Sequence, residues 1–128
     1  MIIGKSSNLY QDLYNKGIMF VAPGMDYEFS RDYAHILITG QSKNPQQVYD
    51  EFKKTVMNLK ENGINIEEFE RTKKMLYGEF IKEYDEPGDI ARMFLSDFFK
   101  EINSFEYLEE ITIINEQYVE QMLKEVFN

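Results

Sequence analysis

Cysteine is absent from the chain, which excludes disulfides and thiolate chemistry and fits a reducing compartment. Histidine occurs once, at His35, so a zinc site of the His-rich kind cannot be assembled. Neither a His-Glu-x-x-His nor a His-x-x-Glu-His motif is present, so metallopeptidase chemistry cannot be housed in this chain alone. Tryptophan is missing too, and basic residues are outnumbered, with 14 Lys and Arg against 23 Asp and Glu for a net charge of −9. That balance argues against a surface neutralising the phosphates of DNA or RNA and against attraction to anionic lipid; small basic peptides are the partners it favours. No apolar run approaches the length of a membrane span, and no basic n-region leads into an apolar h-region. The 128 residues read as one domain of a cytoplasmic protein, with no nucleic-acid or membrane partner.

What is present begins with the stretch Ser6 to Ile18, which reads as a helix already under way at the first residues. Leu9 and Leu13, Tyr10 and Tyr14 form two adjacent i, i+4 rows, and Gly17 suits the left-handed position just past a helix end. Two strand-like runs follow, Ile18 to Phe29 and Tyr33 to Thr39, joined by the polar Ser30-Arg31-Asp32 and with Pro23-Gly24 breaking the first. In the second run Tyr33, His35, Leu37 and Thr39 alternate with Ala34, Ile36 and Ile38, which predicts partial cover on both faces.

From Asn44 the pattern turns helical. Asn44 caps, Pro45 takes the first helical position, and Val48, Phe52, Val56 and Leu59 follow until Asn62-Gly63. Asn65 with Glu68 has capping-box spacing for a second helix, and Asp85-Glu86-Pro87-Gly88 breaks it. A third carries Ile90, Phe94 and Phe98, Ser104 suits the cap of a short fourth, and Asn115 opens a fifth with Val119, Leu123 and Val126. About five helices thus carry apolar stripes, while only one hairpin is offered for them to cover. Two strands make a marginal sheet, so further strands are expected from elsewhere, by way of an exposed sheet edge.

Candidate chemistry is sparse. His35 reads as a half-buried packing residue, and Glu67, Glu68 and Glu70 as carboxylates at the positive end of a helix dipole. Glu70 with Lys74 and Glu79 with Glu83 read as a solvated helix surface, and Gly63 and Gly78 are isolated rather than part of a phosphate loop. Phe52, Phe69, Phe80, Phe94 and Phe98 are expected in the core at their helical spacing. Tyr14, Phe20, Tyr27, Phe29 and Tyr33, near the hairpin, are the candidates for a binding surface. No catalytic residue is assigned.

Five stretches carry a resemblance: Ser6-Ser7-x-Leu9-Tyr10-x-x-Leu13-Tyr14-x-x-Gly17-Ile18, Asn44-Pro45, Gly63-Ile64-x-x-Glu67-Glu68-Phe69-Glu70-Arg71-x-Lys73-Lys74, Gly78-Glu79-Phe80-Ile81 and Leu108 to Thr112. In this order and spacing they resemble the insulinase or pitrilysin-type zinc peptidases, which include the mitochondrial processing peptidases and bacterial relatives. The chain looks most like the C-terminal, zinc-free half of a bacterial member. The resemblance implies an α+β fold, a two-layer α/β sandwich of the LuxS/MPP-like metallopeptidase half-domain kind, spanning residues 1–128 and lacking a strand at each end. It also implies that zinc belongs to an N-terminal catalytic half or a paralogous subunit, that this chain holds no cofactor and is inactive alone, and that its role is to line a chamber for a peptide substrate. Active members often place an arginine and a tyrosine in this helix-to-strand segment; those positions fall near Leu13 or Tyr14 and near Phe20. Both departures remove polar groups, leaving Tyr14 and Phe20 as substrate-packing candidates. A zinc-free scaffold or peptide-binding partner subunit, and an independent acidic domain dimerising by edge pairing, are the alternative expectations.

Overall fold

The computed structural model describes residues 2–30 and 32–127. The described elements are α1 (Asn8–Asn15), β1 (Gly24–Phe29), β2 (Ala34–Thr39), α2 (Pro45–Asn62), α3 (Ile66–Glu83), α4 (Pro87–Lys100), α5 (Glu106–Ile113) and α6 (Glu116–Val126). The class is α+β, six helices and one two-stranded antiparallel sheet among the described residues, as expected. Two compact units are formed, one by the chain up to Ile64 with the stretch from Leu123, the other by Asn65–Met122.

In the first unit α1 is not already under way at the first residues. It has a cap of its own: the buried Ser7 is extended, and its Oγ accepts from the Tyr10 N–H at 3.2 Å. Before it, the Ser7 N–H donates to the Gly4 carbonyl at 2.9 Å, a turn that keeps the helix from extending backwards. At the other end Gly17 has φ +67, its N–H donates to the Tyr14 carbonyl, and the Ile18 N–H donates to the Leu13 carbonyl, both at 2.9 Å. This is a Schellman ending, and Ile18 and Leu13 complete it by burying together with Ile3, Leu9, Tyr10 and Met19. Gly17→Ala should therefore cost about 1–2 kcal/mol through backbone strain alone, since no atom lies within 4 Å of a Cβ there. Urea unfolding would show it, and Gly17→Asn should cost less.

The same ending explains why the first strand is shorter than expected. The Ile18 and Met19 N–H groups are both committed to the Leu13 carbonyl, and Pro23 has none to give. Only the Met19–Ser42 bridge forms before β1 begins at Gly24. The hairpin connection falls partly on Arg31, outside the described residues; beside it the Ser30 N–H donates to the Tyr33 carbonyl at 2.8 Å.

Register then sorts the sheet into two unlike faces. Met25, Tyr27 and Phe29 lie opposite Ile38, Ile36 and Ala34, while Asp26 and Glu28 lie opposite Leu37 and His35. β2 alone looks apolar on both sides, but β1 makes one face apolar and the other polar. Partial cover of both faces is not found: Met25 and Tyr27 on one face and His35 and Leu37 on the other are exposed. His35 is accordingly no packing residue, since its Nε2 sits 3.1 Å from the Glu28 carboxylate across the strand pair and its ring stacks on Tyr33.

Side-chain caps set the later helices largely as their sequence announces. The Asn44, Asn65 and Asn115 side chains accept from the N–H groups of Gln47, Glu68 and Tyr118, and Gly63 ends α2 at φ +81. Lys60 Nζ donates to the Phe127 carbonyl, and the Phe52 and Phe127 rings meet edge to face. In the second unit α3 packs on α5, and Lys73 Nζ donates to the Thr112 and Ile114 carbonyls at the C-terminal end of α5.

Two expectations fail there for one reason. Ser104 does not cap α5; its hydroxyl is buried and donates to the Asp97 carboxylate at 2.7 Å. Asn103 does the local work instead, its side chain accepting from the Phe105 N–H and donating to Glu106. Because Asp97 is the inward residue of α4, the i, i+4 pair Phe94 and Phe98 is turned outward rather than into the core. Phe69 is buried and Phe52 and Phe80 are part-buried, as expected.

Candidate functional site

The two residues singled out for substrate contact flank the Schellman turn. Leu9, Tyr10 and Leu13 take the buried face of α1, which leaves Tyr14 half exposed, and Phe20 emerges half exposed beyond the turn. Tyr10 links them: its ring centroid is 6.1 Å from that of Tyr14, and its hydroxyl donates to the Phe20 carbonyl at 3.4 Å. Lys43 places its ammonium 4.8 Å from the centre of the Phe20 ring, a cation–π contact that holds the ring in place. Sequence reasoning assigned neither Tyr10 nor Lys43 to the site. The i, i+4 spacing of Tyr10 and Tyr14 was a signal for the first; Lys43 lies 23 residues from Phe20 and had none.

An apolar cavity of about 240 Å³ opens in the same unit, lined chiefly by Ile3, Met19, Ile38, Val48, Tyr49 and Phe52. Gly40 is part of its wall because a Cβ there would meet Pro23 Cβ at 3.2 Å and Met19 Cε at 3.3 Å. Ser42, the hydroxyl nearest to chemistry in this wall, is already used: it donates to the Ile18 carbonyl and accepts from the Asn44 N–H. The cavity can take an apolar group and offers no acid, base or nucleophile. Of the remaining binding-surface candidates, Tyr27 stacks on Phe29 along the apolar face, and Tyr33 belongs to the opposite face with His35.

In the second unit sits a buried polar cluster that sequence reasoning missed. The Asp97 carboxylate accepts from Ser104 Oγ at 2.7 Å and from the Tyr107 hydroxyl at 3.1 Å, while the Tyr84 hydroxyl donates to the Ser104 carbonyl. Burial, with the Asp97 carboxylate beside it, pushes the Tyr107 phenol up to about 12. Every group is satisfied within the cluster, so it has the character of a structural tie. Among the described residues no group of three or more His, Asp or Glu side chains is gathered that could hold a metal ion, so the residues present do not fit a zinc site. No helix among them is long and apolar enough to cross a membrane.

Comparison with known proteins agrees with the fold. The zinc protease YmfH of Bacillus subtilis (strain 168) is 28% identical over 123 residues, which is 94% of this chain and 28% of that protein. An M16-like peptidase from Alicyclobacillus acidocaldarius, known from its crystal structure, matches with a TM-score of 0.90 at 19% identity over 97% of this chain and 30% of that one. The chain thus spans under a third of the length of either relative. Residues 1–76 match the domain described as the peptidase M16 inactive domain. On that match, which covers more than half of its length, the chain belongs to the M16 peptidase family and carries the family's inactive domain.

Proposed function

We propose that this chain is the non-catalytic half of a zinc-dependent endopeptidase and forms part of the wall of its peptide chamber. Zinc and hydrolysis belong to an N-terminal catalytic half or a paralogous subunit, and residues 1–128 act as one half-domain completed by strands from outside this sequence. The observation that carries the reading is the match of the inactive domain to the segment containing α1, the turn and the hairpin. Three features of the structure support it. Tyr14 and Phe20 are exposed beside a turn anchored in the core, the sheet has two strands among the described residues, and Met25 and Tyr27 on its apolar face are exposed.

In this reading Tyr14 and Phe20 bind substrate by packing and leave the chemical step alone. Phe20→Ala and Tyr14→Ala, made in the assembled peptidase, should raise KM about fivefold each, the equivalent of roughly 1 kcal/mol of lost contact, with kcat within twofold. Unfolding of the variant chains should shift by less than about 0.5 kcal/mol, because both side chains are half exposed. An unchanged KM would remove these two residues from the site.

A further inference from the structure

One ammonium stands at the candidate site without a counter-charge. Ser42 Oγ and the Lys43 N–H both donate to the Ile18 carbonyl, at 2.9 and 3.1 Å, and Met19 bridges to Ser42, so the Ser42-Lys43 backbone is pinned against the turn just before Phe20. From this anchor the Lys43 side chain reaches over the Phe20 ring, 4.8 Å from its centre. Lys16, at the end of α1, is neutralised by Asp12, whereas Lys43 makes no ion pair with a described residue. Nor does α2 account for it. Lys43 directly precedes the Asn44 cap, where the positive end of the helix dipole disfavours a cation and adds to its charge instead of offsetting it.

Resting on the reading of Phe20 as a substrate contact, we infer that Lys43 is a specificity residue: it makes the substrate position packed on Phe20 accept acidic or neutral side chains and reject Lys and Arg. An aromatic ring standing alone attracts a substrate cation to its face. Here the chain's own cation holds that place, so a second one meets repulsion, while a carboxylate finds an unpaired partner. A side chain laid on the ring lies within the Debye length of about 8 Å at physiological salt, so the charge reaches it largely unscreened. The net charge of −9 acts on encounter and draws basic peptides in general, but the residue that settles on Phe20 is chosen by the nearest charge.

The test is a charge scan in the assembled peptidase. A short fluorescence-quenched peptide that it cleaves, without charged side chains, is varied by placing Glu or Lys at one position at a time. At one position kcat/KM should favour Glu over Lys by about fivefold to tenfold, from one attraction and one repulsion at an exposed contact. In about 0.5 M salt that ratio should fall by at least half. Lys43→Arg should keep the preference, and Lys43→Met, with an unchanged circular dichroism spectrum, should bring the ratio to within about twofold of one. Because the ratio is read within a single variant, any general loss of packing on Phe20 cancels from it. A parent protein with no such position, or a preference that survives Lys43→Met, would overturn the role of Lys43, while a raised KM in Phe20→Ala would still uphold the chamber reading. An unchanged KM in Phe20→Ala would remove both.

Discussion

Leu13→Ala should destabilise the first unit by about 2–5 kcal/mol, the largest single effect expected in this chain. Leu13 has no exposed surface and lies in one cluster with Ile3, Leu9, Tyr10, Ile18 and Met19. Its carbonyl also accepts from the Ile18 and Met19 N–H groups. Truncation leaves a cavity beneath the turn and removes the hydrophobic contact with Ile18 that closes the Schellman ending. Against a total of about 5–15 kcal/mol for a domain this is a large fraction. Leu13→Met, which conserves volume, should cost under about 1.5 kcal/mol. Urea unfolding of the two variants separates them, and a Leu13→Ala cost below about 1 kcal/mol would mean that the turn does not rest on this core. Since the turn sets where Phe20 emerges, the loss should appear at the candidate site as well, as weakened protection of the Ile18 and Met19 amides in hydrogen exchange.

Asp97→Ala should cost the second unit about 2–4 kcal/mol, because it strands two donors, each worth about 1–3 kcal/mol when left unpaired. The buried Ser104 hydroxyl loses its acceptor, and so does the Tyr107 phenol. Ser104→Ala removes one donor and leaves Asp97 its bond from Tyr107, so its cost should be smaller, and the costs of the two changes should not add when combined. The Tyr107 phenol, raised from its ordinary value near 10 to about 12 chiefly by burial, adds a pH signature. A group whose folded value lies above its unfolded one stabilises fully below the unfolded value. Its contribution is therefore present below pH 10 and is lost as the pH rises towards about 12. Tyr107→Phe should flatten that alkaline loss, read as unfolding midpoint against pH.

Much of the fold was legible because the signals are local. Asn44, Asn65 and Asn115 cap the helices they announce, and Gly17 and Gly63 take the positive φ their positions call for, since each depends on residues within four of it. Ser7 was passed over because its capping bond looks like ordinary helix spacing until the Gly4 turn is seen behind it. The outward turn of Phe94 and Phe98 was illegible for a different reason. Periodicity finds an apolar row but not which neighbours claim the helix, and here a carboxylate tied to Ser104 and Tyr107 outranked two phenylalanines. The sheet's polarity needed the register, which sets Asp26 and Glu28 beside Leu37 and His35. Tyr14 and Phe20 could be picked out of the sequence by their place near the hairpin and by the family resemblance, and both are half exposed. Their link through Tyr10, and the Lys43 ammonium over Phe20, could not.

The central claim, that this chain is the inactive half of a peptidase whose chemistry lies elsewhere, is tested most directly by metal analysis and peptide hydrolysis. The purified 128-residue chain would be assayed alone and after mixing with the catalytic half of the same protein. Alone it should retain no stoichiometric zinc and cleave no peptide, and cleavage should arise only when the catalytic half is added, at a rate above that of the catalytic half by itself. Stoichiometric zinc in the chain alone, or hydrolysis by it, would contradict the account.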